Sequence, residues 1–161
     1  NTVQYGGESD FVVEGGEGIR TDYVAYLHSY PGHQSRTVIV GTPTPEQRRD
    51  YAIHIDIHRR TIDRCRAGAL VHDLWQFTMS EYEKAGWPHH HLLIGHSVGA
   101  WWHQQEPILR RMSEVSLEKG MVLALEPHVN HWHVQDMVLV TDGAPIMLSG
   151  KFNTDEPFVV R

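Results

Sequence analysis

Two helix-forming segments with strand-forming segments on both sides are the feature that most constrains the fold of this chain. Thr44, Pro45 and Gln47 supply an N-cap, a proline at the first helical position and a capping-box partner. Apolar residues at near-helical spacing follow, and Gly68 is predicted to end this first helix. A second run of apolar residues predicts another helix over 70–85.

The strand-forming segments are rich in Val, Ile, Tyr and Thr, or are apolar along much of their length. Two of them precede the helices and three follow, at 19–27, 36–40, 121–125, 134–140 and 145–148. This order predicts an α+β fold in which the helices pack on one face of a mostly antiparallel sheet. With 161 residues, one domain with its own core is expected.

Composition excludes several classes of function. The formal net charge of −6, without any run of Lys and Arg, argues against a nucleic-acid partner. No apolar stretch approaches the roughly 20 residues needed to span a bilayer, so no membrane partner is expected. The single cysteine, Cys65, rules out an internal disulfide framework and favours a reducing, cytoplasmic location.

Asp22 and Glu126 are carboxylates inside predicted strands, and His96 lies in a Gly-rich segment. An unpaired carboxylate costs several kcal/mol when it is buried, so each would need a metal ion, a cation or strong hydrogen bonds. Each residue alone has an ordinary explanation: a strand carboxylate facing solvent, or a core histidine bonded to a carbonyl. Asp, His and Glu on separate strands together resemble a set of metal ligands.

Five blocks in a fixed order carry a more specific resemblance. They are Asp22 with His33 and Ser35-Arg36-Thr37, Gly95-His96-Ser97-Val98-Gly99 with His103, the segments 120–127 and 134–140, and Ser149-Gly150-Lys151-Phe152. Across them the chain resembles the C-terminal half of the pita-bread fold of the creatinase/aminopeptidase (M24-like) family, a curved mostly antiparallel sheet. Residues 1–161 would then be the C-terminal portion of a catalytic domain. Its N-terminal part would be absent from this chain or supplied by another chain.

The resemblance also implies a ligand set. Two-metal members of the family use two Asp, one His and two Glu, of which the second Asp and the second Glu bridge the ions. Asp22, His96 and Glu126 match, whereas His33 and Gln135 occupy the bridging positions. Two carboxylates neutralise one divalent ion but not two, and neither substitute bridges well. We therefore predict one Mn, Fe, Zn or Co ion held by His33, His96 and Glu126, with Asp22 or Gln135.

The implied activity is hydrolysis of a C–N bond in a small substrate: an amide, an amidine or an Xaa-Pro peptide. His103 matches the family histidine that stabilises the tetrahedral intermediate, and Asp22 is either a ligand or a proton acceptor. A homodimer is also implied. Three alternatives stay open: a metal-free creatinase-like hydrolase, whose base would fall at Tyr5, a lyase, and a degenerate pita-bread that only binds.

Several residues near these motifs have two interpretations. His128, His131 and His133 lie between the last two motifs. An alternating pattern would place some of them toward the cleft, and the interpretation that we favour is a loop of surface histidines. Trp101 either walls a pocket or packs in the core. Arg36 pairs with a carboxylate of the site or substrate, or forms a structural ion pair.

Overall fold

The computed structural model describes residues 10, 12–87, 93–101, 105–151 and 154–161. Within them the chain forms two helices, α1 (Pro45–Ile62) and α2 (Val71–Lys84), preceded by strands β1 (Gly18–Leu27) and β2 (Tyr30–Val40). The strands after the helices are β3 (Leu93–Ser97), β4 (Gln105–Arg110), β5 (Val122–Leu125), β6 (His128–Val129), β7 (Trp132–His133), β8 (Asp136–Leu139), β9 (Ile146–Met147) and β10 (Phe158–Val160). This order confirms the predicted α+β fold.

The described strands form two sheets and a short hairpin. One sheet has the order β1-β2-β10, the other has the order β4-β3-β5-β8-β9, and β6 pairs with β7. Every pairing among these strands is antiparallel except that of β10 with β2. A backbone bridge between Ser35 and Gln135 connects β2 to the residue before β8. The two sheets therefore meet next to His33 and at Gln135, two of the residues predicted to bind metal.

Helix α1 begins as predicted and ends earlier. Thr44 and Gln47 form a capping box, in which each side chain bonds the other residue's backbone N–H. The helix ends at Ile62, six residues before the predicted stop at Gly68. The reason is tertiary, because the backbone N–H of Gly68 donates to the Leu117 carbonyl at 2.8 Å. Partners elsewhere in the chain thus replace helical hydrogen bonds in this segment.

Helix α2 matches its predicted range to within one residue at each end. It packs against β3 and β4, and with the strands it encloses the main core, which includes Leu74, Ile94, Leu109, Leu123 and Val138. The helices thus cover one face of the sheet, as predicted. Neither helix is long and apolar enough to cross a membrane.

The sequence pattern gave no bounds for four of these elements, strands β3, β4 and β10 and the β6–β7 hairpin, although His96 was expected to lie on a strand. β3 carries His96 and Ser97, and its Gly95 has a φ of +153°. Register irregularities interrupt its pairing with β4, so neither strand shows a clean two-residue alternation. These short, polar or irregular strands nevertheless carry much of the candidate site.

Candidate active site

Strands β1 and β2 bring Asp22 and His33 together. The antiparallel register pairs Asp22 with Ser35 and Val24 with His33, so the side chains of Asp22 and His33 share one face. Asp22 Oδ1 lies 2.8 Å from His33 Nε2 and accepts a hydrogen bond from Ser35 Oγ at 2.9 Å. Burial opposes the ionisation of Asp22, but these bonds from His33 and Ser35 hold its pKa below the usual range.

Gln135 bonds the other side of the His33 ring. Its Nε2 lies 2.9 Å from His33 Nδ1, and its Oε1 lies 2.7 Å from Ser35 Oγ, whose single proton is shared between this oxygen and Asp22 Oδ1. An amide nitrogen only donates, so His33 Nδ1 accepts and His33 Nε2 carries the proton that points at Asp22. We call Asp22, His33, Ser35 and Gln135 the polar network. Within it, both ring nitrogens of His33 already have hydrogen-bond partners.

Glu126 is the centre of a second group. It follows β5 directly, is 7% exposed and faces imidazoles from separate strands. Its Oε1 lies 3.6 Å from His96 Nε2, and its Oε2 lies 3.9 Å from His133 Nε2. Both distances are longer than a hydrogen bond allows. Burial, and after it the negative charge of Asp22, raise the pKa of Glu126 to about 8.

The ligand atoms of Glu126, His128 and His133 all lie within 4.8 Å of one another. We call these three residues the hairpin triad, since His128 and His133 face each other across β6 and β7. The prediction of surface histidines is correct for His131, which is exposed, and wrong for His133, which is 3% exposed. Burial, with a smaller contribution from His128, lowers the pKa of His133 far below its usual range, so its ring is neutral near pH 7.

The donors of this site fit a divalent ion. Neutral imidazole nitrogens and a carboxylate oxygen suit Zn, Fe, Mn or Co. His33 and Gln135, at the positions that the resemblance expects to bridge two ions, bond each other. The ring centroid of His33 lies 5.4 Å from that of His96, so the polar network and the Glu126 group are neighbours.

The structure also places the remaining predicted residues. Arg36 is buried and its Nη2 donates to Asp136 Oδ1 at 2.7 Å, so it forms a structural ion pair. Trp101 is 67% exposed and does not pack in the core. The residues His103 and Tyr5, for which catalytic roles were considered, lie outside the described residues.

The sequence profile of metallopeptidase family M24 matches residues 1–142, most of this chain. The chain belongs to metallopeptidase family M24. Among M24 relatives, the Xaa-Pro dipeptidase of Pyrococcus furiosus is 26% identical over 148 residues, which cover 88% of this chain and 42% of the relative. Methionine aminopeptidase A of Synechocystis is 28% identical over 137 residues, which cover 82% of this chain and 53% of the relative.

Solved M24 structures share the fold. The X-Pro aminopeptidase of Thermotoga maritima superposes with a TM-score of 0.88 at 22% identity, covering 98% of this chain and 45% of that one. This confirms the predicted pita-bread fold. The chain spans about half the length of the relatives it matches, so it corresponds to part of their catalytic domain.

Proposed function

We propose that this chain is part of a hydrolase that cleaves a C–N bond in a small substrate with the help of one divalent metal ion. The observation that carries the proposal is the buried Glu126 carboxylate, which faces the imidazoles of His96 and His133 without a hydrogen bond to either. Family membership supports hydrolysis, and relatives named as Xaa-Pro dipeptidases favour a short peptide, with an amide or amidine as the wider class.

Charge supports a single ion. Asp22 and Glu126 are the two carboxylates retained from the ligand set that the resemblance implies, and together they balance one divalent ion. A second ion would need a bridge at position 33 or 135. Gln135 would bind a metal through Oε1, which lies 2.7 Å from Ser35 Oγ, and His33 Nδ1 already accepts from Gln135 Nε2 at 2.9 Å, so neither residue is placed to bridge two ions.

Each residue of the site has its own proposed role in hydrolysis. When bound, a divalent ion would polarise the scissile carbonyl and acidify a water molecule. Asp22 is half-exposed beside the site, and we propose that it accepts a proton while His33 and Ser35 fix its orientation. His103 is proposed to stabilise the developing oxyanion. The ligand set predicted from sequence, Asp22, His33, His96, Glu126 and Gln135, stays a prediction.

The rest of the substrate pocket is proposed to come from outside these residues. Because relatives are about twice as long, we propose that an N-terminal part of the fold, from the same protein or another chain, completes the pocket. We also propose a homodimer, as the resemblance implies, and a cytoplasmic location, where the buried thiol of Cys65 stays reduced.

A substrate screen with and without chelator tests the proposal. Xaa-Pro dipeptides, simple amides and guanidino compounds are incubated with protein whose metal content has been measured. We expect hydrolysis that a chelator abolishes and one equivalent of metal restores. Glu126→Gln should lower kcat/KM at least about 100-fold, whereas Glu118→Gln, an exposed control, should leave it unchanged.

Other outcomes identify the alternatives. Turnover that survives complete removal of metal would indicate creatinase-like, metal-free hydrolysis. A product formed by elimination, without incorporation of solvent oxygen, would indicate a lyase. Substrate binding without turnover would indicate a binding module. Each of these results contradicts the proposed metal-assisted hydrolysis.

A further inference from the structure

We propose that the ion is held by the hairpin triad, Glu126, His128 and His133, and not by His33. The metal centre would then lie at the β6–β7 hairpin, beside the position predicted from sequence. This inference deepens the proposed function and rests on it only in treating the bound ion as the one that serves hydrolysis. The location itself follows from geometry.

The hairpin places two imidazoles at one point. β6 and β7 are two residues long, and their register sets His128 directly opposite His133. The two ring centroids are 3.8 Å apart with the planes inclined at 51°. Asn130 has a φ of +52°, a left-handed conformation that Asn tolerates well, and it turns the chain between the strands. The short hairpin therefore fixes the spacing of both rings.

Glu126 completes the set from the same segment. It lies two residues before His128, and its Oε2 is 3.9 Å from His133 Nε2. All three ligand atoms fall within 4.8 Å of one another, and small side-chain rotations would bring them to the distances of about 2.0–2.2 Å that Zn²⁺ adopts with nitrogen and oxygen.

His133 Nε2 is a buried polar atom that points into this space. Among the described residues it has no hydrogen-bond partner, and because His133 is only 3% exposed, bulk water does not reach this atom either. A buried polar atom left unpaired costs about 1–3 kcal/mol, so such atoms are rare without a function. The backbone of His133 is held on both sides by Thr37, whose Oγ1 donates to the His133 carbonyl at 2.9 Å and accepts from its N–H at 3.0 Å. These two bonds to β2 fix the backbone position of His133, and an ion would satisfy its ring nitrogen.

His33 is less suited to the role. Its Nε2 proton points at Asp22 and its Nδ1 accepts from Gln135, so coordination would require breaking one of these bonds. The ring of His96, unlike that of His33, faces Glu126. Its Nδ1 donates to the Ser97 carbonyl at 2.9 Å, and its Nε2 lies 3.6 Å from Glu126 Oε1.

Two His and one Glu are a sufficient set of protein ligands for a catalytic divalent ion. Sites with two imidazoles and one carboxylate keep a fourth position for water or substrate. Glu126 cancels one of the two positive charges and the imidazoles are neutral, so the remaining charge is available to act on a substrate carbonyl. The polar network beside it would then orient Asp22 without binding metal.

Metal binding measured without substrate tests the location. Equilibrium dialysis with Zn²⁺ and Co²⁺, followed by elemental analysis, gives stoichiometry and Kd, and the visible absorption of bound Co²⁺ reports its ligand geometry. We expect one ion per chain. His128→Asn and His133→Asn should each weaken binding at least about 100-fold, since loss of an outer partner alone costs 10–100-fold. Both should also change the Co²⁺ spectrum.

Two controls keep the inference falsifiable. His131→Asn changes an exposed histidine of the same hairpin and should leave Kd unchanged within about threefold. His33→Asn should weaken binding by less than about 10-fold and preserve the Co²⁺ spectrum, because His33 bonds Asp22 and Gln135 and no residue of the hairpin triad. His128 is half-buried, so its variant remains informative if His133→Asn does not fold.

The opposite pattern would overturn the inference. Loss of the ion in His33→Asn with normal binding in His128→Asn and His133→Asn would place the metal at the position predicted from sequence. Two equivalents of bound metal would also contradict it. These results are separable from the proposed function, because an ion bound at the hairpin triad in a protein without hydrolytic activity refutes only the function, and metal-dependent hydrolysis with unaffected triad variants refutes only the location.

Discussion

Replacing Asp136 by Asn should lower the free energy of unfolding more than the loss of any single exposed ion pair of this chain does. Asp136 Oδ1 accepts from Arg36 Nη2 and from Ser149 Oγ, both at 2.7 Å, and Oδ2 lies 3.0 Å from His58 Nε2. The side chains of Asp136 and His58 are 1% exposed, and that of Arg36 is 9% exposed. The substitution keeps the shape of the residue and removes its charge from a buried pair.

The magnitude follows from what the substitution leaves behind. The new amide side chain retains an acceptor for Arg36, but its nitrogen would present a donor to His58, and the Arg36 cation would lose its counter-charge. Removing one partner of a buried pair costs about 3–5 kcal/mol. We take the lower part of that range, about 3–4 kcal/mol, because the amide oxygen still bonds Arg36. For a domain of this size it corresponds to a fall in Tm on the order of 10 °C.

Urea and thermal unfolding followed by circular dichroism measure this difference. Asp56→Asn is the matched control, because Asp56 pairs with Arg60 at 2.9 Å while 65% exposed, and such pairs contribute less than about 1 kcal/mol. If Asp136→Asn lost less than about 1 kcal/mol, or no more than Asp56→Asn, the argument that this buried network stabilises the fold would be refuted.

Three further predictions concern packing, capping and pH. Gly95→Ala would place a Cβ 2.3 Å from the Ala124 carbonyl oxygen at a φ of +153°, so we expect a loss of about 2–3 kcal/mol in urea unfolding. Gly18→Ala, whose Cβ would make an ordinary contact with Ile39 at 3.5 Å, should change little. Thr44→Ala removes the capping box and should cost about 1 kcal/mol in the same assay. Burial alone would raise the pKa of Asp136, but His58 and Arg36 hold it below the unfolded value of about 3.9. The pair therefore stabilises the protein above that pH, and Tm should fall as pH drops below about 4, less steeply in Asp136→Asn.

The sequence predicted the helices well because their signals are local. The capping box at Thr44 and Gln47 specifies the start of α1 through bonds within four residues. The end of α1 was wrong because the backbone around Gly68 bonds Leu117, a partner far away in sequence. The bounds of strand β3 were not predicted for a similar reason, since Gly95 and its irregular pairing are stabilised by neighbouring strands.

The site residues named from sequence stay a prediction, and the structure adds how some of them are arranged. His96 Nε2 lies 3.6 Å from Glu126 Oε1, and Asp22 is close enough to Glu126 for its charge to raise the pKa of that carboxyl. The hydrogen bond between His33 and Gln135 was not predictable from spacing, because 102 residues separate them. The signal for the hairpin triad was present in the sequence: Glu126 and His128 two residues apart, then a turn at Asn130, then His133.

Strand β1 has a practical consequence for handling this chain. Its inner edge pairs with β2, and no described strand pairs with its outer edge. Nearby, Tyr23, Tyr26, Leu27 and Tyr30 are each more than half exposed. An open strand edge beside exposed aromatic rings is a template for adding another strand, so the isolated chain should self-associate as its concentration rises. Metal affinities should therefore be measured on dilute samples, with light scattering to confirm that the ion binds a dispersed protein.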